Sequence, residues 1–272
     1  MRAINIRPSR GWHVALAAVP FVLAIAAYMV GSDLRLAANP ADKLLPAFGT
    51  IAEAVNQYAF TADQRTGLYL LWSDTAASLY RLLTALTIST AIALVFGVVT
   101  GMLPVAAATL SPFVAVASMI PCLALLPILF IVMGLGEASK ITLIVVGTAL
   151  KLVRDIAQRV EEIPREQIIK AQTLGASSWQ IATRVVTPQI LPRLIDSLRL
   201  EIGPAWLFLI AAEAIASEAG LGYRIFLVRR YLSMDVIIPY VLWITLLAFL
   251  MDWSLRVLQR RAFPWFEGAR AA

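Results

Sequence analysis

The chain has 272 residues, of which 60% are apolar and 15% charged, with a mean hydropathy of +0.78. A soluble domain carries nearer a quarter charged residues, so this composition excludes an ordinary soluble fold and points to a lipid bilayer. The 23 Lys and Arg against 17 Asp and Glu give a net charge of +6; in a membrane protein such an excess reflects topology. No basic stripe with interleaved aromatics appears, so no nucleic-acid partner is expected.

Arg2, Arg7 and Arg10 precede an apolar run from Val14 to Val30. Tyr28-Met29-Val30-Gly31 is a poor cleavage site, and about 17 to 20 apolar residues suffice to span, so a first transmembrane helix is predicted. Residues 31–75 set Asp33, Asp42, Glu53, Asp63 and Asp74 against Arg35, Lys43 and Arg65, an external segment polar enough for water. Within it Phe48, Ile51, Ala52 and Val55 follow Pro46 at helical spacing, which predicts a short interfacial helix over Ala47–Tyr58.

No charge occurs from Leu82 to Gly136, a length that fits two spans joined by a turn near Pro104 to Pro112. Ile141 to Val153 is the fourth predicted span, with Lys151 snorkelling toward water. Ile202 to Ala216, interrupted by Glu213, is the fifth, and Val236 to Met251, extended by Asp252, the sixth. The expected fold is therefore all-α and polytopic, with six transmembrane helices over residues 12–258. Starting inside puts tails 1–11 and 259–272 and a loop at about 157–192 in the cytoplasm. Fifteen of the 23 Lys and Arg then lie on the inner side. Arg224, Arg229 and Arg230 fall in the external loop before the last span, where they either dock an acidic receptor or are simply solvated.

The inner loop is the most informative segment. Pro164 suits the first turn of a helix, and Ile168, Ala171 and Leu174 recur on one face until Gly175 closes it. Ser177 and Gln180 form a capping-box pair opening a second helix, with Trp179, Ala182, Val185 and Val186 on its apolar side and Pro188 and Pro192 as its stop. Two short helices at a glycine elbow suit the transmission of force from a soluble partner; an interfacial anchor is the plainer alternative.

This loop resembles the signature of binding-protein-dependent ABC importer permeases, E-A-A-x-x-x-G, nine residues, I-x-L-P. Ala171, Gly175 and Pro188 match and Val185 replaces the isoleucine, whereas Ile169, Lys170 and Thr187 stand where glutamate, alanine and leucine are usual. Leu45-Pro46, Ile163-Pro164, Leu174-Gly175-Ala176, Trp179, Leu191-Pro192, Ala205-Trp206, Ala212-Glu213 and Gly220-Leu221-Gly222-Tyr223 extend the resemblance over roughly residues 40 to 265, and it is closest to the nitrate, sulfonate and taurine branch. The resemblance implies the type I ABC importer permease fold, a homodimer in membrane lipid, cytoplasmic ATPase subunits docked on residues 163 to 188, and an external solute-binding protein. Glu166 or Glu162 is the candidate to replace the missing motif carboxylate.

Enzymatic chemistry is not expected. Gly134-Leu135-Gly136-Glu137-Ala138-Ser139-Lys140-Ile141 lacks the second glycine and the following Ser or Thr of a phosphate loop. One histidine, His13, and one cysteine, Cys122, make neither a nucleophile–base pair nor a zinc site. No catalytic residue, cofactor or metal is therefore predicted.

Polar groups within the spans are costly, on the order of 2.5 to 3.5 kcal/mol for a charge at a helix centre. Glu213, with Trp206 earlier in the same span, is expected to line a pathway or brace a helix contact. Asp252 and Arg256 are spaced for a local ion pair. Gly97 and Gly101 allow close helix approach; Pro121 and Pro127 either open the backbone toward a pathway or kink the third span.

The expected function is the permease subunit of an ATP-driven importer for a small polar solute such as nitrate, a sulfonate or taurine. A urea-type or guanidino solute is the alternative, and an ion-coupled secondary transporter a further one.

Overall fold

The computed structural model describes residues 9–40 and 42–266. Arg2, Arg7 and the last residues of the chain lie outside them, as does the side chain of His13. The described residues form helices joined by short loops. They divide into two compact units, Met1–Tyr69 with Val228–Tyr240, and Leu70–Leu227 with Val241–Ala272.

In the first unit α1 (Arg10–Ala38) is the expected first span, extended past Val30 to Ala38. Its far end is tied to the following loop by Tyr28 Oη donating to the Pro46 carbonyl (2.7 Å) and Ser32 Oγ to that of Leu45 (2.9 Å). Hydrogen bonds from the Arg35 guanidinium and the Leu44 N–H hold the Asp42 carboxyl below its usual range. The short helix expected after Pro46 is α2 (Phe48–Val55), continued by a π-helical turn at Asn56–Phe60. Phe48 packs on Tyr28, with ring centroids 5.4 Å apart.

The second unit is built on α3 (Leu70–Met102) and α6 (Glu137–Glu161). They run parallel in one register: Ser89 hydrogen-bonds Thr148 (2.8 Å), Gly97 faces Ile156, and Gly101 faces Val160. The two glycines thus serve packing within the chain. A Cβ on Gly97 would lie 2.7 Å from Ile156, and one on Gly101 2.5 Å from Val160 and 2.7 Å from the Ala157 carbonyl. Gly101→Ala is expected to destabilise the protein by about 1–3 kcal/mol through overpacking. Gly203→Ala, where nothing stands within 4 Å, should be neutral or slightly stabilising. Equal melting temperatures for the two variants would refute this packing account.

α3 begins twelve residues before the predicted start at Leu82, because Asp74 and Arg81 are paired inside the unit and do not end the span. The expected turn at Pro104 to Pro112 is instead a helix, α4 (Pro104–Ala117). Pro104 stands in its first turn, where its missing N–H costs nothing, and the chain reverses at Leu103. The break comes later. A 3₁₀ turn at Cys122–Leu125 leads into α5 (Leu126–Met133), and the two halves of this third span bend by 83°. Pro121 sits at the break and Pro127 in the first turn of α5.

α6 is twice as long as the predicted Ile141–Val153 segment. The helical hairpin expected from the sequence follows as α7 (Arg165–Thr173) and α8 (Ser178–Ile181), then α9 (Thr187–Ala216), which packs antiparallel on α6. A 56° bend separates α9 from α10 (Leu221–Arg229), and α11 (Met234–Ala262) closes the chain. Among the described residues three helices are long and apolar enough to cross a membrane, Ala15–Ala38, Leu70–Met102 and Met234–Ala262, and the two bent pairs raise this to five. The remaining expected span, the fourth, falls in α6, about 37 Å long at 1.5 Å per residue, whose charged residues lower its hydropathy.

Candidate functional site

Two assemblies in the second unit hold the predicted residues. The first is the hairpin between α6 and α9. Pro164 is the N-cap of α7, and Ile168 and Ala171 pack on a core cluster containing Val160, Ile163, Ile181 and Val186. Gly175 has φ +79°, a conformation other residues resist. Its N–H bonds the Gln172 carbonyl (2.9 Å) and the Ala176 N–H that of Ala171 (3.0 Å), which closes α7 in a Schellman motif. Ser177 then caps α8 as expected: its N–H donates to Gln180 Oε1 (2.8 Å) and its Oγ accepts from the Gln180 N–H (3.3 Å). Each turn of the elbow is therefore fixed by backbone bonding.

Two side chains assigned to the apolar faces do not pack there. Leu174 is 86% and Trp179 77% exposed, while Ile181 and Val186 take the buried positions. Val185 and Ala176 border the core cluster. Pro188 and Pro192 do not stop the second helix, contrary to expectation. α8 passes through a π-helical stretch at Ala182–Val186 into α9, where Pro188 occupies the first turn and Pro192 lies inside the helix. The irregular turn absorbs the missing donors. Gln189 Nε2 donates to Gln167 Oε1 (2.9 Å), and Arg193 pairs with Glu162 (2.8 Å), fastening α9 to the hairpin. Glu166 is exposed.

The second assembly lies at the other end of these helices, around Glu213, which is fully buried. α3 presents Asp74, Ser78 and Arg81 on one face, at spacings of four and three residues. Glu213 accepts from Ser78 Oγ (2.8 Å), Arg81 Nη1 (2.7 Å) and the Gly222 N–H (2.8 Å). Arg81 also donates to Glu137 (Nη2–Oε1 2.8 Å) and to the Ala219 carbonyl (2.8 Å). Lys140 reaches Glu137 (3.0 Å) and Ser217 (3.2 Å). Asp74 accepts from the Gly220 N–H (3.0 Å) and Arg224 Nε (2.8 Å).

Three carboxylates and three cations thus cancel, the condition under which charges are tolerated out of water. The glycines of Gly220-Leu221-Gly222 are required by this clasp. A Cβ on Gly220, at φ +135°, would stand 2.5 Å from the Glu213 carboxyl, and one on Gly222 2.8 Å from the Ile210 backbone.

The sequence reading found Glu213 but missed Asp74, Ser78, Arg81, Glu137 and Lys140 as its companions. Their shared helix face was the available signal. Of the three arginines expected in the external loop, Arg224 is paired with Asp74, whereas Arg229 and Arg230 are exposed. Trp206 is buried in α9. Asp252 meets Arg256 (3.1 Å) as expected, and also Arg199 at a shorter distance (2.7 Å).

The sequence over residues 89–264 matches the family model described as the binding-protein-dependent transport system inner membrane component. The chain belongs to this family. It is 35% identical over 195 residues to the taurine transport system permease protein TauC of Escherichia coli K12, covering 72% of this chain and 71% of that one. It is 31% identical over 146 residues to the putative aliphatic sulfonates transport permease protein SsuC of the same organism, covering 54% and 56%. Among solved structures, an inward-facing MetNI methionine ABC transporter aligns over 67% of this chain and 93% of its own, with a TM-score of 0.57 at 22% identity. The permease therefore has the type I ABC importer fold, and it is a transport subunit of such an importer.

Proposed function

We propose that the permease forms the membrane pathway for a small anionic or zwitterionic solute of the sulfonate, taurine or nitrate type, as a homodimer driven by separate cytoplasmic ATPase subunits. The names of its relatives support the solute class, and the lack of a phosphate loop in this sequence supports ATP hydrolysis by a separate subunit. The observation that carries the docking role is the exposure of Leu174 and Trp179 on an elbow rigidly capped on both sides. Large apolar side chains held out on a rigid support are what an interface anchor requires. In this reading the hairpin and both chain termini face the cytoplasm. Glu166 replaces the motif carboxylate, and an external binding protein meets the opposite face near Arg229 and Arg230. Trp206 and Glu213 belong to the bracing of the span and do not contact solute.

The test is reconstitution of the permease with its ATPase and binding protein in proteoliposomes, followed by uptake of radiolabelled taurine, ethanesulfonate and nitrate. Uptake should require ATP and all three components. Solute movement by the permease alone would overturn the reading in favour of a secondary transporter. Uptake of a guanidino or urea-type solute in place of all three anions would replace the proposed solute class.

A further inference from the structure

Lys151 differs from the paired cations within the spans of the second unit. Arg81, Lys140, Arg199 and Arg224 each have a carboxylate partner. Lys151 has no ion pair and no hydrogen bond among the described residues, and it is exposed. Ten uncharged residues, Ile141 to Leu150, separate it from Lys140, which puts it about 16 Å farther along α6. In the register of α6 with α3 it is level with Ile92, well inside the apolar part of that span. A cation at such depth with no direct ion pair is costly unless water or an anion reaches it.

Beside it lies a cavity of about 350 Å³, room for on the order of ten waters. Its walls are Lys151, Gly147, Phe208, Cys122, Pro121 and Ser118, so the cavity is formed where the third span breaks between α4 and the 3₁₀ turn. Irregular backbone within a membrane is tolerated where it lines such a space. Gly147 has no room for a side chain: a Cβ there would meet the Phe208 ring and stand 2.9 Å from Cys122 Sγ. The Phe208 ring in turn lies 5.7 Å from Lys151 Nζ, so the ammonium group is held at the cavity wall. Glu201 is near enough to feel the charge of Lys151, but no carboxylate among the described residues pairs with it directly. Glu201 and Asp155 make no ion pair with Lys151 among the described residues, and Asp155 is engaged by Ser197 and Arg159.

We infer that Lys151 is the anion-binding side chain of a solute subsite at the break in the third span, taking the sulfonate or equivalent oxyanion group of the transported molecule. The inference rests on the anionic solute class proposed above and adds to it a specific residue and place. A point-charge ammonium with three donors suits a compact oxyanion. The Phe208 ring and the apolar wall suit the rest of a small solute, as in most ligand pockets.

The same oxyanion chemistry is offered by a lipid phosphate, and the experiment separates the two sources. The complete transporter, with its ATPase and binding protein, is reconstituted in vesicles of phosphatidylcholine alone and in vesicles containing phosphatidylglycerol. Uptake of taurine, ethanesulfonate and nitrate is then measured together with ATP hydrolysis. Lys151→Gln should lower the number of anions imported per ATP hydrolysed by roughly tenfold or more in both vesicle types, the scale of one charge-assisted hydrogen bond. Lys151→Arg, which keeps the charge, should restore most of it. Unchanged import by Lys151→Gln would overturn the subsite. So would equal loss in both variants, which marks a packing role, or a loss confined to phosphatidylglycerol vesicles, which assigns Lys151 to lipid. Wild-type transport of solutes without an oxyanion group but of none of taurine, ethanesulfonate and nitrate would overturn the solute class itself, and the subsite with it.

Discussion

Replacing Glu213 by alanine is expected to destabilise the purified permease by about 3–5 kcal/mol, the range for removing one partner of a buried ion pair. The substitution leaves Ser78, one arm of Arg81 and the Gly222 N–H without their acceptor in a site closed to water. The loop at Gly220 to Gly222 also loses one of the two carboxylates that hold it. Thermal unfolding in detergent should show a markedly lower midpoint. Glu213→Gln keeps an oxygen for Ser78 and should fall between alanine and the native protein. A native-like midpoint for the alanine variant would show that the clasp is not structural. Native-like transport by the glutamine variant would discard any need for the charge in solute movement.

The double substitution Leu174→Asp with Trp179→Asp is expected to abolish capture of the ATPase while leaving the permease folded and inserted. Both side chains are mostly exposed, so little core packing is lost. If the elbow is the docking surface, losing its two apolar anchors and burying two carboxylates should weaken association by at least roughly thirtyfold, the equivalent of about 2 kcal/mol. Co-purification of the ATPase with tagged permease is the measurement. Retention of the ATPase at native stoichiometry would move the interface elsewhere.

Helix periodicity and capping chemistry were readable from the residues alone wherever they act locally. The Gly175 closure, the Ser177 and Gln180 box and the short helix after Pro46 all stand where spacing put them. Proline was misread for a physical reason. A proline in the first turn or beside a π-helical turn does not end a helix, and nothing in the residue order separates those settings from a true stop. Charge was misread because pairing is not local: Asp74 and Arg224 are 150 positions apart, and Arg81 and Glu213 are 132 apart. Charges that look like the end of a span are then interior ones. The exposure of Leu174 and Trp179 also contradicts their amphipathic pattern. A surface shaped for another subunit follows the same apolar spacing as one shaped for the chain's own core.

The uninterrupted path from Ser178 to Ala216 has a mechanical consequence. α8, the π-helical stretch and α9 run as one continuous helix up to the bend at Ser217, and its α9 part alone is about 45 Å long at 1.5 Å per residue. Tilting the end near Ser177 must therefore displace the end beside Glu213 in the opposite sense, as in a seesaw pivoted on α6. The neutral charge clasp would then act as the latch at the far end, and its strength would set how much work a stroke at the near end has to perform.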